Sequence, residues 1–395
     1  MSTRILFLLL LTFDALILFY ESSTLSISIH EVKILSHNSS FFAQFINTFL
    51  DTFSQNDFVL RTPMIIMHLI SVTLIYLISK TYLLKERDAL WSTLIFVLLP
   101  GIHSSGLLVD AAGLVLLLLL VYIYYHDKSI MIRYFLLFTY LFIDASFSYL
   151  YLGLFFFALI KRDNLLLITS LLLFSISMYY FGFDDGGVPF GYFLDNLGIY
   201  AVIFSPPIFI YMIYTLYRRF ILREIELLLI LSSTALVLSL LFSIRQNVHV
   251  EVFAPFLVLS LPLMVGTFLV SYRIRLKQFR KNQKYFFYFT LVFLVVNFLV
   301  VLFNKEIYRF LGDSQKHFAY RLHIAKELSQ ELNKNKIECI SLNDTNMQKR
   351  LKFYGIEKCH KYKEVHYISE KTINVTISYR KQTVYTLYVS KWYIY

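Results

Sequence analysis

The lysines and arginines of this chain are distributed very unevenly among long apolar segments. The first 303 residues consist mostly of apolar runs of membrane-spanning length, separated by short polar loops. If the N-terminus is cytoplasmic and successive loops alternate between two sides, one side carries 17 Lys and Arg residues and the other carries only Lys33, Arg61 and Arg245. An excess of basic residues on one side is typical of cytoplasmic loops in membrane proteins. The distribution therefore predicts a polytopic helical membrane protein and indicates which loops share a side.

The composition agrees with a membrane protein. Hydrophobic residues make up 57% of the chain and charged residues 16%, whereas soluble domains carry about 25% charged residues. The net charge of +11 arises largely from basic residues beside the apolar segments, so it indicates inner loops and does not predict nucleic acid as a partner. The sequence also has no Gly-rich phosphate loop, zinc-finger spacing or RNP-like motif.

Eleven segments are predicted to span the membrane. Three of them, 89–100, 134–146 and 147–160, are shorter than the roughly 17–25 residues that a straight spanning helix needs, so we expect longer ends, kinks or re-entrant segments there. No small-x-small cleavage site follows the first segment, which is therefore expected to be retained as a helix. An odd number of spans places the C-terminal tail outside. The predicted spans are 4–20, 63–84, 89–100, 107–125, 134–146, 147–160, 164–181, 200–217, 225–243, 252–271 and 285–303.

The tail, residues 304–395, is predicted to be a small soluble α/β domain on the outer side. Helical spacing covers 317–333 and 343–354, the second ending at Gly355, and strand-like patterns cover 337–342, 365–368, 372–379 and 383–394. The tail is basic, with 17 Lys and Arg residues against nine Asp and Glu residues.

Both cysteines of the chain, Cys339 and Cys359, fall in this tail. An oxidising outer compartment permits a disulfide between them. The alternative is a pair of free thiols.

Ionisable residues at membrane depth or at helix mouths are costly and usually mark a site or a cavity. Glu31 lies in the long first outer loop, 21–62, Asp110 opens an apolar helix, and Arg245 lies in the last outer loop before the tail. Simple solvation of Glu31 and interfacial anchoring by Arg245 are the alternatives to a functional role.

Several motifs, each weak alone, occur along residues 1–303 in the order found in the GT-C glycosyltransferases. The pattern has an acidic residue in the first outer loop, an Arg-x-Pro lead into the second span, a Pro-Gly turn before an acidic helix start, and a late outer loop with Arg and His before a proline-containing helix. The chain resembles the branch that contains protein O-mannosyltransferases and lipid A aminoarabinose transferases. His30 stands where that branch usually has the first residue of an acidic pair. The matching residues are Glu31, Arg61-Thr62-Pro63, Leu99-Pro100-Gly101, Asp110, Arg245, His249, Pro255 and Pro262.

The resemblance covers residues 1–303 and implies a transmembrane GT-C domain there, in a bacterial inner membrane. The distribution of basic residues predicts a cytoplasmic N-terminus and a separate extracytoplasmic domain at 304–395. The resemblance implies transfer of a hexose or pentose from a polyprenyl-phosphate donor, with inversion, to a lipid A, glycan or protein acceptor on the outer face. No cofactor is firmly implied, and a divalent metal is compatible with the acidic loops, although no His/Cys/Asp cluster has metal-ligand spacing.

The same resemblance implies roles for individual residues. A carboxylate must deprotonate or orient the acceptor, and a cation must hold the leaving phosphate. The expected catalytic residues are Glu31, as base, and Asp110; the expected donor-phosphate ligands are Arg245, His249 and Arg61; His30 and His103 are expected to shape the site.

Two other classes of protein remain open at the level of sequence. A transporter or flippase would also be polytopic, but internal repeats and charges near the midplane are typical of transporters, and neither is evident in this chain. A non-catalytic envelope assembly protein could present the basic tail to an anionic partner.

Overall fold

The computed structural model of the protein describes residues 2–36, 40–182, 191–311, 313–365, 372–380 and 382–391. Over these residues the chain is mainly helical, with a small antiparallel sheet near its C-terminus, as the sequence predicted. The helices are α1 (Thr3–Thr24), α2 (Ile29–Ser36), α3 (Phe41–Phe53), α4 (Asp57–Tyr82), α5 (Glu86–Leu98), α6 (Pro100–Leu107), α7 (Ala111–His126), α8 (Ile130–Tyr140), α9 (Phe147–Lys161), α10 (Asn164–Phe181), α11 (Phe193–Phe204), α12 (Pro206–Ile221), α13 (Leu227–Ser243), α14 (Val250–Val258), α15 (Leu261–Ile274), α16 (Arg280–Leu302), α17 (Asn304–Ile307), α18 (Ala325–Lys334) and α19 (Thr345–Phe353); the strands are β1 (Tyr362–Val365), β2 (Thr372–Tyr379) and β3 (Gln382–Lys391).

The chain divides into two compact units. The helical unit comprises Met1–Leu16 and Met64–Phe298, and the tail unit comprises Ile17–Pro63 and Leu299–Tyr395. The tail unit therefore contains most of the first predicted outer loop in addition to the predicted C-terminal domain. That loop is largely helical, since α2 and α3 lie within it and α4 already begins at Asp57.

Each predicted span coincides with a helix or with a bent pair of helices. Among the described residues, four helices are long and apolar enough to cross a membrane: α1, α4, α10 and Lys277–Leu302, which includes α16. By length and composition the number rises to as many as seven if each of three bent pairs is one span. The remaining predicted spans are occupied by the shorter apolar helices α7, α8, α9 and α13.

Proline lies at or next to the start of the second helix in each bent pair. The pair α5–α6 bends by 65° before Pro100, α11–α12 by 106° before Pro206, and α14–α15 by 43° near Pro262. Proline lacks an N–H and is tolerated in the first turn of a helix, where that donor has no partner within the helix. The span predicted at 200–217 is therefore not straight, because the chain turns sharply at Ser205.

Buried tyrosines connect neighbouring helices of the helical unit. Tyr140 donates to the carbonyl of Leu118 (2.7 Å), and Tyr151 donates to that of Leu137 (2.8 Å). Tyr200 on α11 donates to Ser239 Oγ on α13 (2.8 Å). Such hydrogen bonds add to close packing where lipid removes the usual hydrophobic force between helices.

The tail unit has its own apolar core, built from α18, α19 and one face of the sheet. The strand order is β1-β3-β2, with both pairings antiparallel, and Val375, Leu387 and Val389 are buried. Cys339 and Cys359 form a disulfide, with Cα atoms 5.5 Å apart. It joins the segment after α18 to the segment after α19.

Two elements predicted for the tail differ from the structure, and the strand predicted at 365–368 lies, beyond its first residue, outside the described residues. The helix predicted at 317–333 begins only at Ala325, because Ile324 has a positive φ of 79° and the preceding residues form 3₁₀ turns. The strand predicted at 337–342 makes only isolated bridges, at Cys339 and Ser341. By contrast, α19 ends before Gly355, which has a φ of +82°, as its C-capping pattern indicated.

Histidine side chains explain why the first part of the predicted helix is not helical. His323 lies between two partners: its Nε2 is 3.0 Å from Asn304 Oδ1, and its Nδ1 is 2.9 Å from the Tyr308 hydroxyl. His317 Nε2 is 2.9 Å from the Asn304 carbonyl, and its ring stacks on Tyr308 at 4.1 Å. Burial, with nearby Lys305 as the next cause, lowers the pKa of His323 to about 3.

This histidine makes the stability of the tail unit dependent on pH. The folded state favours neutral His323, whereas the unfolded chain binds a proton as the pH falls below the ordinary value of about 6.5. The contribution of neutral His323 to the free energy of unfolding is therefore fully present above that pH. It is lost as the pH falls towards about 3, at up to ~1.4 kcal/mol per pH unit. We expect thermal unfolding in detergent to show this acid sensitivity, and His323→Gln to reduce its slope. The exposed His360→Gln serves as the control; equal slopes in both variants would contradict the assignment.

Candidate functional site

A cavity of about 670 Å³ lies in the helical unit where α7, α9 and α14 begin. Asp110 caps the N-terminus of α7, accepting a hydrogen bond from the Ala112 N–H at 3.2 Å. Asp144 precedes α9 and accepts from the Ser146 N–H at 2.8 Å. Helix N-termini carry partial positive charge, and here each is accompanied by a carboxylate that lines the cavity: Asp110, Asp144 and, in the first turn of α14, Glu251.

Apolar side chains form the other part of the cavity lining. Tyr149 and Phe253 have ring centroids 4.3 Å apart, and Phe242 lies 6.4 Å from Phe253. Met178 and Phe181, at the end of α10, also contribute. An apolar wall with a few polar groups is typical of sites for amphiphilic or small organic ligands.

The predicted residues of the last outer loop lie at or beside this cavity. His249 is the N-cap residue of α14 and lines the cavity, with an exposed side chain. Arg245 is exposed in the turn after α13, one residue before the lining residue Gln246.

His103 is placed differently from the other predicted residues of the helical unit. It is fully buried on α6, its ring meets Phe298 edge-on at 4.8 Å, and it does not line the cavity. The structure thus places His103 in the core of the unit.

Glu31 lies in the tail unit, where it belongs to a helix-capping motif. Its carboxylate accepts from the Ser28 N–H at 2.7 Å, while Ser28 Oγ accepts from the Glu31 N–H at 3.2 Å. This reciprocal pair is a capping box at the start of α2. Glu31 is 1% exposed, whereas the neighbouring His30 is exposed.

The guanidinium of Arg61 lies beside Glu31 and is completely buried. Its Nη2 is 3.8 Å from Glu31 Oε2 and donates to the Ser26 carbonyl at 3.0 Å. Its Nη1 is 3.7 Å from Asp57 and donates to the Leu25 carbonyl at 3.1 Å. Arg61 thus holds the segment between α1 and α2 in place, and Glu31 faces a fixed cation.

A second buried arginine, Arg350 on α19, binds the same segment. Its Nε donates to the Ile27 carbonyl at 2.7 Å, and its Nη2 donates to Ser26 Oγ at 3.0 Å and to the His323 carbonyl at 2.6 Å. Burial lowers the pKa of Arg350. The segment that leads to Glu31 is therefore held by one arginine from α4 and one from the tail.

Asp57 completes the charged cluster in the tail unit. Its Oδ1 accepts from the Tyr354 hydroxyl at 2.6 Å, and its Oδ2 lies 3.1 Å from Lys326 Nζ. Burial, followed by the charge of Asp57, raises the pKa of Tyr354. Sequence motifs do not single out Asp57 or Arg350, because neither residue stands in one. The Ser28-x-x-Glu31 spacing, by contrast, is a recognisable capping signal.

Among the described residues, no group of three or more His, Cys, Asp or Glu side chains could hold a metal ion.

Comparison with solved structures reveals a similarity of fold. No protein-family model and no curated protein matches the chain. The fold is similar to the crystal structure of ArnT from Cupriavidus metallidurans in the apo state, with a TM-score of 0.54 and 10% sequence identity, covering 98% of each chain. ArnT is a lipid A aminoarabinose transferase of the GT-C class.

The similarity extends over nearly the whole of both chains, so it includes the tail as well as the spanning helices. It shows that the protein has an ArnT-like polytopic fold. The resemblance drawn from the short sequence motifs is thereby confirmed at the level of the fold. At 10% identity the similarity is one of architecture.

Proposed function

We propose that the protein is an integral-membrane glycosyltransferase that moves a sugar from a polyprenyl-phosphate donor to an envelope acceptor on the outer face of a bacterial inner membrane. The observation that carries this proposal is the full-length similarity of fold to ArnT. Fold alone does not determine activity, so the proposal also relies on the chemistry of the cavity in the helical unit and of the charged cluster in the tail unit.

The cavity has features suited to a lipid-linked donor. Its lining residue His249 can donate to a phosphate, and its aromatic wall suits the first part of an apolar chain. In the proposal Asp110 is a catalytic carboxylate that orients sugar hydroxyls, and His249 and Arg245 bind the donor phosphate. An arginine fork can bind two phosphate oxygens at once.

In the tail unit, Glu31 is the proposed general base for an inverting displacement. The acceptor oxygen attacks the anomeric carbon as its proton passes to the Glu31 carboxylate, and the polyprenyl phosphate leaves with the bonding electrons. The contacts of Arg61 with Glu31 and with backbone carbonyls support a positioning role for it, in place of the phosphate contact expected from the motif. His30, exposed beside Glu31, is proposed to contact the acceptor.

The activity is tested in membranes that contain the protein and a polyprenyl-phosphate sugar carrying an isotopic label. The expected result is transfer of the label from the lipid to an acceptor, dependent on the protein. Movement of the intact labelled lipid across the membrane without a covalent product would favour a flippase and overturn the proposal.

For Arg245→Ala we expect a higher KM for the lipid donor, by roughly 10- to 100-fold, because a charge-assisted hydrogen bond contributes about 1.5–3 kcal/mol. The KM for the acceptor should not change. Arg275→Ala, an exposed arginine of the same unit, is the control and should leave both values as in the wild type. A change confined to the acceptor KM would show that Arg245 does not bind the donor phosphate.

A further inference from the structure

A buried acidic–histidine pair lies in the helical unit outside the proposed site. Asp14 on α1 is 0% exposed and His68 on α4 is 5% exposed, and His68 Nε2 lies 3.0 Å from Asp14 Oδ2. Within the described part of the chain, Asp14 Oδ1 is also buried and has no hydrogen-bond partner. Ionisable groups at such positions are costly, so their presence usually reflects a role.

The His68 ring packs directly against α6. A Cβ atom added to Gly106 would lie 2.9 Å from both Cγ and Nδ1 of His68, closer than real contacts allow. The ring also stacks near Phe96, with centroids 5.9 Å apart. Asp14 therefore holds His68 from α1 while the ring fixes how closely α6 can approach α4.

One turn earlier on α4, Met64 makes a similar contact with α7. A Cβ atom added to Gly113 would lie 2.8 Å from Met64 Cε and 3.1 Å from the Ser105 carbonyl oxygen. Gly106 and Gly113 flank the junction between α6 and α7, and Asp110 is the N-cap residue in the middle of that junction. Side chains of α4 thus contact both sides of the segment that carries Asp110.

We infer that the Asp14–His68 pair is a positioning element that sets the α6–α7 junction and, through it, the orientation of Asp110 towards the cavity. Asp14 fixes the His68 ring, the ring fixes Gly106, and the short link from Gly106 to Asp110 carries that position to the cavity. This inference rests on the proposed function only in giving Asp110 a catalytic role; the placement of the junction is a separate claim.

A simpler role for the pair is polar attraction between α1 and α4, which commonly holds membrane helices together. The two roles predict different results. Attraction alone predicts that loss of the pair lowers stability without changing the cavity. Positioning predicts that loss of the pair alters access to the cavity lining. It also predicts that a larger side chain at position 106 offsets the effect of a smaller one at position 68.

The test uses the full-length protein in detergent with Ala112→Cys, which places one thiol in the cavity lining beside Asp110. Cys339 and Cys359 are joined in a disulfide and do not compete for a maleimide. Gly106→Ala and His68→Ala are each expected to change the rate at which maleimide labels the introduced thiol by about fivefold or more. The double substitution is expected to restore a rate close to the original, because the smaller side chain at 68 makes room for the added methyl group.

Two further variants serve as controls. Asp14→Asn keeps an oxygen that can accept from His68 Nε2–H and is expected to retain the original labelling rate. His126→Gln removes another buried histidine, which bonds to Tyr122 within α7, and should also leave the rate unchanged. Melting temperatures measured in parallel show whether each variant is folded.

Equal labelling rates in Gly106→Ala, His68→Ala and the parent protein would overturn the positioning role, as would additive effects in the double variant. The labelling rate does not depend on catalysis, so the experiment tests the placement of the junction even if the wild type transfers no sugar. Where transfer is observed, misplacement of Asp110 should lower kcat by up to about 10²-fold with little change in the donor KM. The double variant should recover part of that loss.

Discussion

Replacing Glu31 with glutamine is expected to reduce sugar transfer by about 10²- to 10⁴-fold, the range associated with loss of a general base. Glutamine is nearly the same size and can accept from the Ser28 N–H, so the capping box at the start of α2 should persist. What the substitution removes is the negative charge beside Arg61, 3.8 Å away, and with it the ability to take a proton. The effect should therefore fall on kcat.

The measurement compares initial rates of labelled-sugar transfer by wild-type and variant proteins at matched amounts in membranes. Glu331→Gln is a suitable control, because Glu331 belongs to the same unit but pairs with Lys334 at the surface of α18. Its transfer rate should equal that of the wild type. Wild-type rates in Glu31→Gln would show that Glu31 only caps α2, and a large fall in melting temperature would assign the loss to misfolding.

Replacing Arg350 with alanine is expected to destabilise the tail unit by several kcal/mol, because each buried polar group left without its hydrogen-bond partner costs about 1–3 kcal/mol. The loss leaves the Ile27 carbonyl, Ser26 Oγ and the His323 carbonyl without this donor in a buried environment. It also removes two of the hydrogen bonds that join the segment between α1 and α2 to the tail, although Ser26 still donates to the Leu322 carbonyl. We therefore expect the tail unit to unfold at a lower temperature and that segment to become accessible to protease.

Thermal unfolding and limited proteolysis of the detergent-solubilised protein measure this effect. Arg380→Ala is the matched control, because Arg380 pairs with Glu306 at the surface and surface ion pairs contribute little. It should unfold like the wild type. If Arg350→Ala and Arg380→Ala behave alike, the buried contacts of Arg350 do not hold the segment.

The membrane-spanning architecture could be predicted from sequence because it depends on the length and polarity of local segments. Lipid requires long apolar helices, and each predicted span overlaps a helix or a bent pair, although among the described residues only four helices, or up to seven spans counting bent pairs, are long and apolar enough to cross a membrane. The start of α4 could not be located in this way. Pro63 suggested a helix start, yet the helix begins at Asp57, since the Asn56 side chain accepts from the Val59 N–H at 2.8 Å and caps an earlier turn.

The organisation of the tail unit could not be deduced from local patterns. Arg350 and Ser26 are more than 300 residues apart in sequence, and nothing in either segment indicates that they bond. The helical spacing at 317–323 was misleading for a similar reason: the buried partners of His317 and His323 override local helix propensity.

The candidate site was predictable to the extent that it follows motifs. Asp110 and His249, both singled out from their motifs, line one cavity of the helical unit. The burial of Arg61 and His103 could not be foreseen, because a sequence motif does not show whether a polar side chain faces a ligand or the backbone.

Mass analysis of the cell envelope tests the proposed transfer most directly. Lipopolysaccharide and envelope proteins are compared between cells that lack the protein, cells complemented with the wild type and cells complemented with Glu31→Gln. Transfer from a lipid-linked donor predicts one envelope component that is heavier by a single sugar in the wild type and lacks that sugar in both other strains. Identical masses in all three strains, with the protein present in the membrane, would contradict a glycosyltransferase and favour a transport or assembly role.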